Sequence, residues 1–186
     1  MTFISRMIEK ASWLRFIVSF VLLFAYSYWA FIRPGFWTRA QEAAAPLPET
    51  LQGFHDEQPA LAFGKLGEAT SDYLIFQAVD IPFAFLNAAM ITAAIALGLK
   101  ILKLAATPLR FLLLLPLILF AAEIAENALL FLMAGDYIPD RGAPATAQQI
   151  MTNIKGASAM LGSVCALAAI VSAAIASLIN LFRKPA

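Results

Sequence analysis

Residues 109–134 read LRFLLLLPLILFAAEIAENALLFLMA, and this stretch decides how the chain is built. It is long enough to cross about 30 Å of hydrocarbon, which takes roughly 20 helical residues. Yet Glu123, Glu126 and Asn127 sit inside it. A central charge in hydrocarbon costs roughly 2.5–3.5 kcal/mol on insertion scales. Such groups persist where they face the interior of a helix bundle and find partners there. Their spacing of i, i+3 and i+4 turns all three to one face. The stretch therefore reads as a spanning helix with one polar flank.

Three more apolar stretches are long enough to span: residues 16–32, 74–99 and 156–182. Composition agrees, because 61% hydrophobic against 13% charged residues in a chain of 186 leaves too little polar surface for a soluble domain. Only helices and closed barrels satisfy their own backbone across lipid, and no strand alternation is present. The expected fold is all-α: an antiparallel four-helix transmembrane bundle forming a single domain over residues 1–186. A long outer loop would join its first and second helices. Arg6, Lys10 and Arg15 precede the first stretch, as in a signal peptide. However, Trp29, Phe31, Arg33 and Pro34 stand where small cleavage-site residues would be, so it reads as a retained helix.

Orientation follows from lysines and arginines near the helix ends. Arg6, Lys10 and Arg15, then Lys100, Lys103 and Arg110, then Arg183 and Lys184 all fall on one side. A bacterial inner membrane with both termini cytoplasmic is the expected setting. Trp13 suits an inner aromatic belt; Trp29, Trp37, Tyr73 and Tyr137 suit an outer one. In the first outer loop, residues 33–73, Thr38 with Gln41 is placed to cap a short helix. Pro46, Pro48, Pro59, Gly64 and Gly67 punctuate that loop. Leu61, Phe63 and Leu66 are apolar enough to lie on the bilayer or over the bundle mouth. In the second outer loop Thr146 and Gln149 form a candidate capping box, starting the fourth helix near Ala147 with Lys155 about two turns in.

A second polar face lies on the second helix. Tyr73, Asp80 and Asn87 are spaced by seven, with Gln77 one turn from the first two. Pro82 should loosen the turn around Ala78, and Pro116 should bend the third helix. The fourth helix carries Lys155, then Ser158, Gly162 and Cys165. It has small residues four apart, such as Gly162 with Ala166 and Ala169 with Ala173, the pattern of closely packed membrane helices. In an up-and-down bundle Tyr73, Asp80, Glu123, Glu126, Asn127 and Lys155 reach one level, in the outer half of the bilayer. Three carboxylates around one lysine are poorly compensated. Protons, an arginine (Arg33 or Arg141) or a bound cation must complete the balance.

What the chain lacks narrows the chemistry. A net charge of +1 offers no field for nucleic acid. The one histidine, His55, lies beside Asp56 and Glu57 with no metal-ligand spacing, so neither metal nor other cofactor is expected. There is no GxSxG, HExxH, P-loop or dinucleotide fingerprint. Cys165, alone in an apolar run, reads as a packing residue.

Gly64 and Gly67 before Tyr73, Asp80 seven later, the E-x-x-E-N run of Glu123, Glu126 and Asn127, and Thr152 with Lys155 opening the last helix together resemble a group of small bacterial four-helix membrane proteins with no assigned activity. That group often has aspartate at the position of Glu123 and an arginine where this chain has Glu68. Four-helix sterol-isomerase-like proteins also bury acids in a bundle, but this chain lacks their intramembrane histidine and tryptophan, so that likeness is architectural.

The leading functional expectation is a binding module for a small amphipathic or cationic ligand or a lipid headgroup. Asp80, Glu123 and Glu126 would supply charge, Asn127 and Tyr73 would orient the ligand, and Lys155 would pair with a carboxylate or hold an anionic group. The alternatives are a membrane enzyme using paired glutamates on a lipid-like substrate, and an accessory or scaffold subunit with a structural polar cluster. Expected partners are membrane lipids, that ligand, and a second copy or a larger membrane complex, with no nucleic acid.

Overall fold

Ser12 takes an extended conformation and its hydroxyl accepts from the Arg15 amide at 3.3 Å. It thereby ends one helix and starts the next. Helix α1 spans Phe3–Lys10 and α2 spans Trp13–Ser27. The computed structural model describes residues 3–32, 35–50 and 58–182, and every regular element among them is helical. After α2 the backbone widens into a π turn over Tyr28–Ile32. Helices α3 (Phe36–Ala44), α4 (Gln58–Leu66), α5 (Thr70–Ile101), α6 (Leu114–Ala134) and α7 (Ala143–Phe182) follow. Short 3-10 turns lie at Pro48–Thr50, Gly67–Ala69 and Pro108–Leu113.

Four segments are long and apolar enough to cross a membrane: Trp13–Ile32, Pro59–Ile101, Pro108–Ala134 and Ala143–Phe182. This is a multi-pass membrane protein. α2 is apolar all round and buries none of its own residues, as befits a helix surrounded by lipid. α5, α6 and α7 pack on one another pairwise, and α2 lies against α5. Phe85 of α5 meets Phe120 of α6, and Phe31 meets Phe83 of α5 edge-on at 4.8 Å. Ile91, Ile95, Leu97, Leu113 and Leu119 form the apolar core at the α1 end, with Cys165 packed half-buried against it.

Between α2 and α5, residues 35–50 and 58–69 are largely helical. α3 and α4 account for most of these residues, and Ala40, Ala44, Leu47 and Leu66 bury against Tyr73 and Ala134. They form a lid where α5 begins and α6 ends. α3 starts at Phe36 after Gly35, with no side-chain cap, so Thr38 sits inside the helix and does not cap it. Of the two glycines, Gly64 stays helical, while Gly67 at φ +50° separates α4 from α5. Arg33, Pro34, His55, Asp56, Glu57, Arg183 and Lys184 lie outside the described residues.

The two prolines occupy different places in their helices. Pro116 is the third residue of α6, directly after the 3-10 turn at Pro108–Leu113. Pro82 is inside α5, which continues through it. The Tyr26 hydroxyl of α2 donates to the Val79 carbonyl at 2.6 Å, in the turn that Pro82 loosens.

α5 and α7 approach most closely at Gly98, where a Cβ would stand 2.6 Å from the Ala169 Cβ. At Gly162 an added Cβ would meet Ile91 at an ordinary 3.4 Å. Gly98→Ala should therefore force the helices apart and destabilise the bundle by roughly 1–3 kcal/mol, while Gly162→Ala should be nearly neutral. Thermal unfolding of both variants in the same detergent checks this; equal losses would mean the Gly98 contact does not set the helix spacing.

Candidate functional site

α6 turns Glu123, Glu126 and Asn127 inward from consecutive turns, and all three are buried. α5 presents Asp80 opposite them, and Asn127 donates its amide to Asp80 Oδ2 at 3.0 Å. Glu123 lies close to Asp80 across the same interface. From α7, Lys155 reaches Glu123 Oε1 at 3.3 Å and pairs directly with Glu126 Oε2.

Glu126 is the centre, fully buried. Its Oε1 accepts from the Thr152 hydroxyl and, at 3.4 Å, from the Gln148 amide. Gln148 also donates to Thr152 at 2.7 Å. The sequence places the start of α7 near Ala147, which already puts Gln148 and Thr152 within it, but nothing in the sequence alone gives Gln148 a partner. The helix begins at Ala143 instead, and Thr146 bonds back to Gly142 without acting as a cap. Lys155 is thus about three turns inside the helix, and Gln148 and Thr152 share its face at i, i+4 and i+7.

Tyr73 joins from the lid side. It is fully buried, not part of an interfacial belt, and its hydroxyl donates to Glu49 Oε2 at 2.8 Å. Glu49 comes from the Pro48–Thr50 turn and has no periodicity that could have marked it in the sequence. Glu49 is half-buried as a residue, its Oε1 is covered, and the carboxylate lies within electrostatic range of Glu126 and Lys155. Burial pushes the Glu49 carboxyl up from an ordinary 4.5 to about 7, with the Glu126 charge adding to it and the Tyr73 hydroxyl and Lys155 working against it. Arg39 of α3 grips Asp72 of α5 in a two-pronged pair at 2.6 and 2.5 Å, holding the lid on the bundle.

Not every candidate joins. Asn87 is half-buried two turns beyond Asp80. Arg141 lies exposed beside Asp140 at 3.7 Å and brings no charge to the cluster. Four carboxylates (Asp80, Glu123, Glu126 and Glu49) thus gather around one ammonium. Four buried polar atoms also have no partner among the described residues: Glu49 Oε1, Gln77 Oε1, Gln77 Nε2 and Gln148 Oε1. Glu126 Oε2 makes no aligned hydrogen bond but is ion-paired to Lys155. Gln77 is 1% exposed and lies against the Tyr73 hydroxyl, one turn from it on α5. Among the described residues no three His, Cys, Asp or Glu are grouped to hold a metal ion.

No protein-family model, curated protein or solved structure matches this chain.

Two outcomes follow from this geometry. Lys155→Met leaves Glu126 buried without its counter-charge and should cost roughly 3–5 kcal/mol of stability, much of it restored by adding Glu126→Gln. A double-mutant cycle by denaturant unfolding in detergent measures that coupling, and additive losses would refute it. For Glu49, the folded chain holds its proton more tightly than the unfolded one. Stability should therefore fall as pH rises from 4.5 to about 7 and stay lower above. The difference in unfolding midpoint between the wild type and Glu49→Gln, followed across that window, should carry this slope; a flat difference would contradict the buried carboxyl.

Proposed function

We propose that the chain is a four-helix bundle of the bacterial inner membrane that binds a cationic ligand, an amine or an amine-bearing headgroup, in its outer half. The antiparallel arrangement is supported by paired residues whose numbers run oppositely: Asp80 with Asn127 and Phe85 with Phe120 between α5 and α6, Glu126 with Thr152 between α6 and α7. Cytoplasmic termini are supported by charge. Lys100 Nζ donates to the Glu9 and Ala11 carbonyls at 2.7 Å, so two of the basic clusters share one end of the bundle. The acid cluster then belongs to the opposite, outer half, beneath the lid.

One observation carries the binding reading. Of the unpartnered buried atoms, Glu49 Oε1, Gln77 Oε1 and Gln148 Oε1 are acceptors, and only Gln77 Nε2 is a donor. A cluster built purely to hold helices together leaves no such groups open, because each costs about 1–3 kcal/mol when unsatisfied. An ammonium brings three donors, no acceptor and a positive charge. It meets both shortages at once: open acceptors, and four acids against one lysine. In this reading Glu49, Gln77 and Tyr73 contact the ligand, Glu126 supplies the field, and Lys155 with Thr152 and Gln148 fixes the Glu126 carboxylate.

The scaffold reading draws on the pairs already closed, Asp80 with Asn127 and Glu126 with Lys155. Paired-glutamate catalysis has less behind it, since Glu123 and Glu126 both lean on one lysine. Dodecylamine separates these readings when titrated against the purified protein in mild detergent, with dodecanol as the uncharged control. The amine alone should raise the unfolding temperature saturably. Glu49→Gln and Glu126→Gln should weaken that binding roughly tenfold or more while circular dichroism stays helical. Equal responses to amine and alcohol, or variants that only lower the melting point, would leave the cluster a structural one.

A further inference from the structure

At the other end of the bundle lies a cavity of about 890 Å³ between the α1–α2 elbow and the flanks of α5 and α6. That is at the upper end of the ~300–1,000 Å³ range of ligand pockets. Its walls are apolar: Leu14 and Val18 from α2, Phe85 from α5 and Phe120 from α6, over a floor of small residues such as Ala89 and Ala93. One end is different in kind, for Arg6, Lys10 and Arg15 all line it. All three are exposed, and among the described residues none is ion-paired with an acid.

The sequence sets this up by helical spacing. Phe3, Arg6, Met7 and Lys10 fall at i, i+3, i+4 and i+7, one face of α1, and that face lines the cavity. The elbow that carries them is braced by backbone contacts. Lys100 Nζ holds the Glu9 and Ala11 carbonyls at 2.7 Å, and Arg15 Nη1 holds the Lys10 carbonyl at 2.5 Å. These cations satisfy the open carbonyl end of α1, where positive charge is favoured. The walls therefore exist before any ligand arrives.

We infer that this groove binds one anionic glycerophospholipid from the leaflet at the α1 end. Its phosphate would lie among Arg6, Lys10 and Arg15, and an acyl chain would lie along Phe85 and Phe120. Charge and depth both select this occupant. The membrane-crossing segment begins at Trp13, so the three cations stand at the edge of the hydrocarbon, where headgroups lie, and the apolar walls extend inward from there. Guanidinium forks match phosphate oxygens, and a chain-free anion would leave the apolar walls unfilled. The groove has no residue in common with the acid cluster, so the inference stands apart from the amine reading.

The test uses the full chain, delipidated in detergent and titrated by native mass spectrometry with dioleoylphosphatidylglycerol, dioleoylphosphatidylcholine or inorganic phosphate. One anionic lipid should bind at least roughly tenfold more tightly than the zwitterionic one, and inorganic phosphate should not compete. Arg6→Gln with Lys10→Gln leaves the Arg15 brace intact and should abolish the preference. Ala89→Leu fills the groove, keeps every charge, and should expel the lipid while leaving the fold unchanged by circular dichroism. Equal affinity for both lipids, competition by free phosphate, or a preference that survives Ala89→Leu would each overturn the inference.

Discussion

The Lys155 ammonium stands between the carboxylates of Glu123 and Glu126, and it ties α7 to α6 where both are most polar. Removing these charges from water is costly, so the pair contributes little net stability as a unit. What it fixes is register. If α7 slid by a turn, Glu126 would lose Lys155, Thr152 and Gln148 together, leaving a charge in hydrocarbon with no partner. At the far end the close passage of Gly98 by Ala169 fixes α7 against α5. α7 is therefore positioned by electrostatics at one end and by steric fit at the other.

The lid extends the charged centre beyond the spanning helices. Glu49 enters from a 3-10 turn and reaches the cluster through Tyr73. The Arg39–Asp72 pair that holds the lid is largely exposed on the arginine side, so its energetic contribution is small, but its forked geometry sets where α3 lies over α5. Two different solvents act on the two ends of the molecule. One end gathers acids away from water beneath helices α3 and α4. The other leaves basic side chains at an open groove.

Much of this was legible because membranes make periodicity strict. The four apolar stretches and the inward faces at 73, 77 and 80 and at 123, 126 and 127 follow from composition and helical repeat alone, since a carboxylate has nowhere else to go. The start of α7 was less legible than its end: the sequence places it near Ala147, and it lies at Ala143. Residues 143–155 include Gln148, Gln149, Thr152, Asn153 and Lys155, a polar run with no apolar repeat to mark its first turn. Within it Gln148, Thr152 and Lys155 turn toward Glu126 and not toward water. Glu49 was beyond reach for a related reason: proline-rich segments have no repeat, and burial of Glu49 depends on lid packing that only tertiary structure provides. Tyr73 suited an aromatic belt by position, yet it is buried because the lid covers it.

The helices differ in how much company they need. The Trp13–Ile32 window is only 6% buried, against 44% for Pro59–Ile101. During synthesis the amino-terminal span is thus soluble in lipid on its own from every side. The second and third spans bring Asp80, Glu123 and Glu126 into the bilayer before their counter-ion exists, because Lys155 is encoded in the last span. Until that span arrives, those acids must travel protonated or remain near the aqueous rim. Biogenesis of this protein is therefore neutralised late, and a ribosome stalled before α7 would leave an incomplete chain with its acids exposed to quality control.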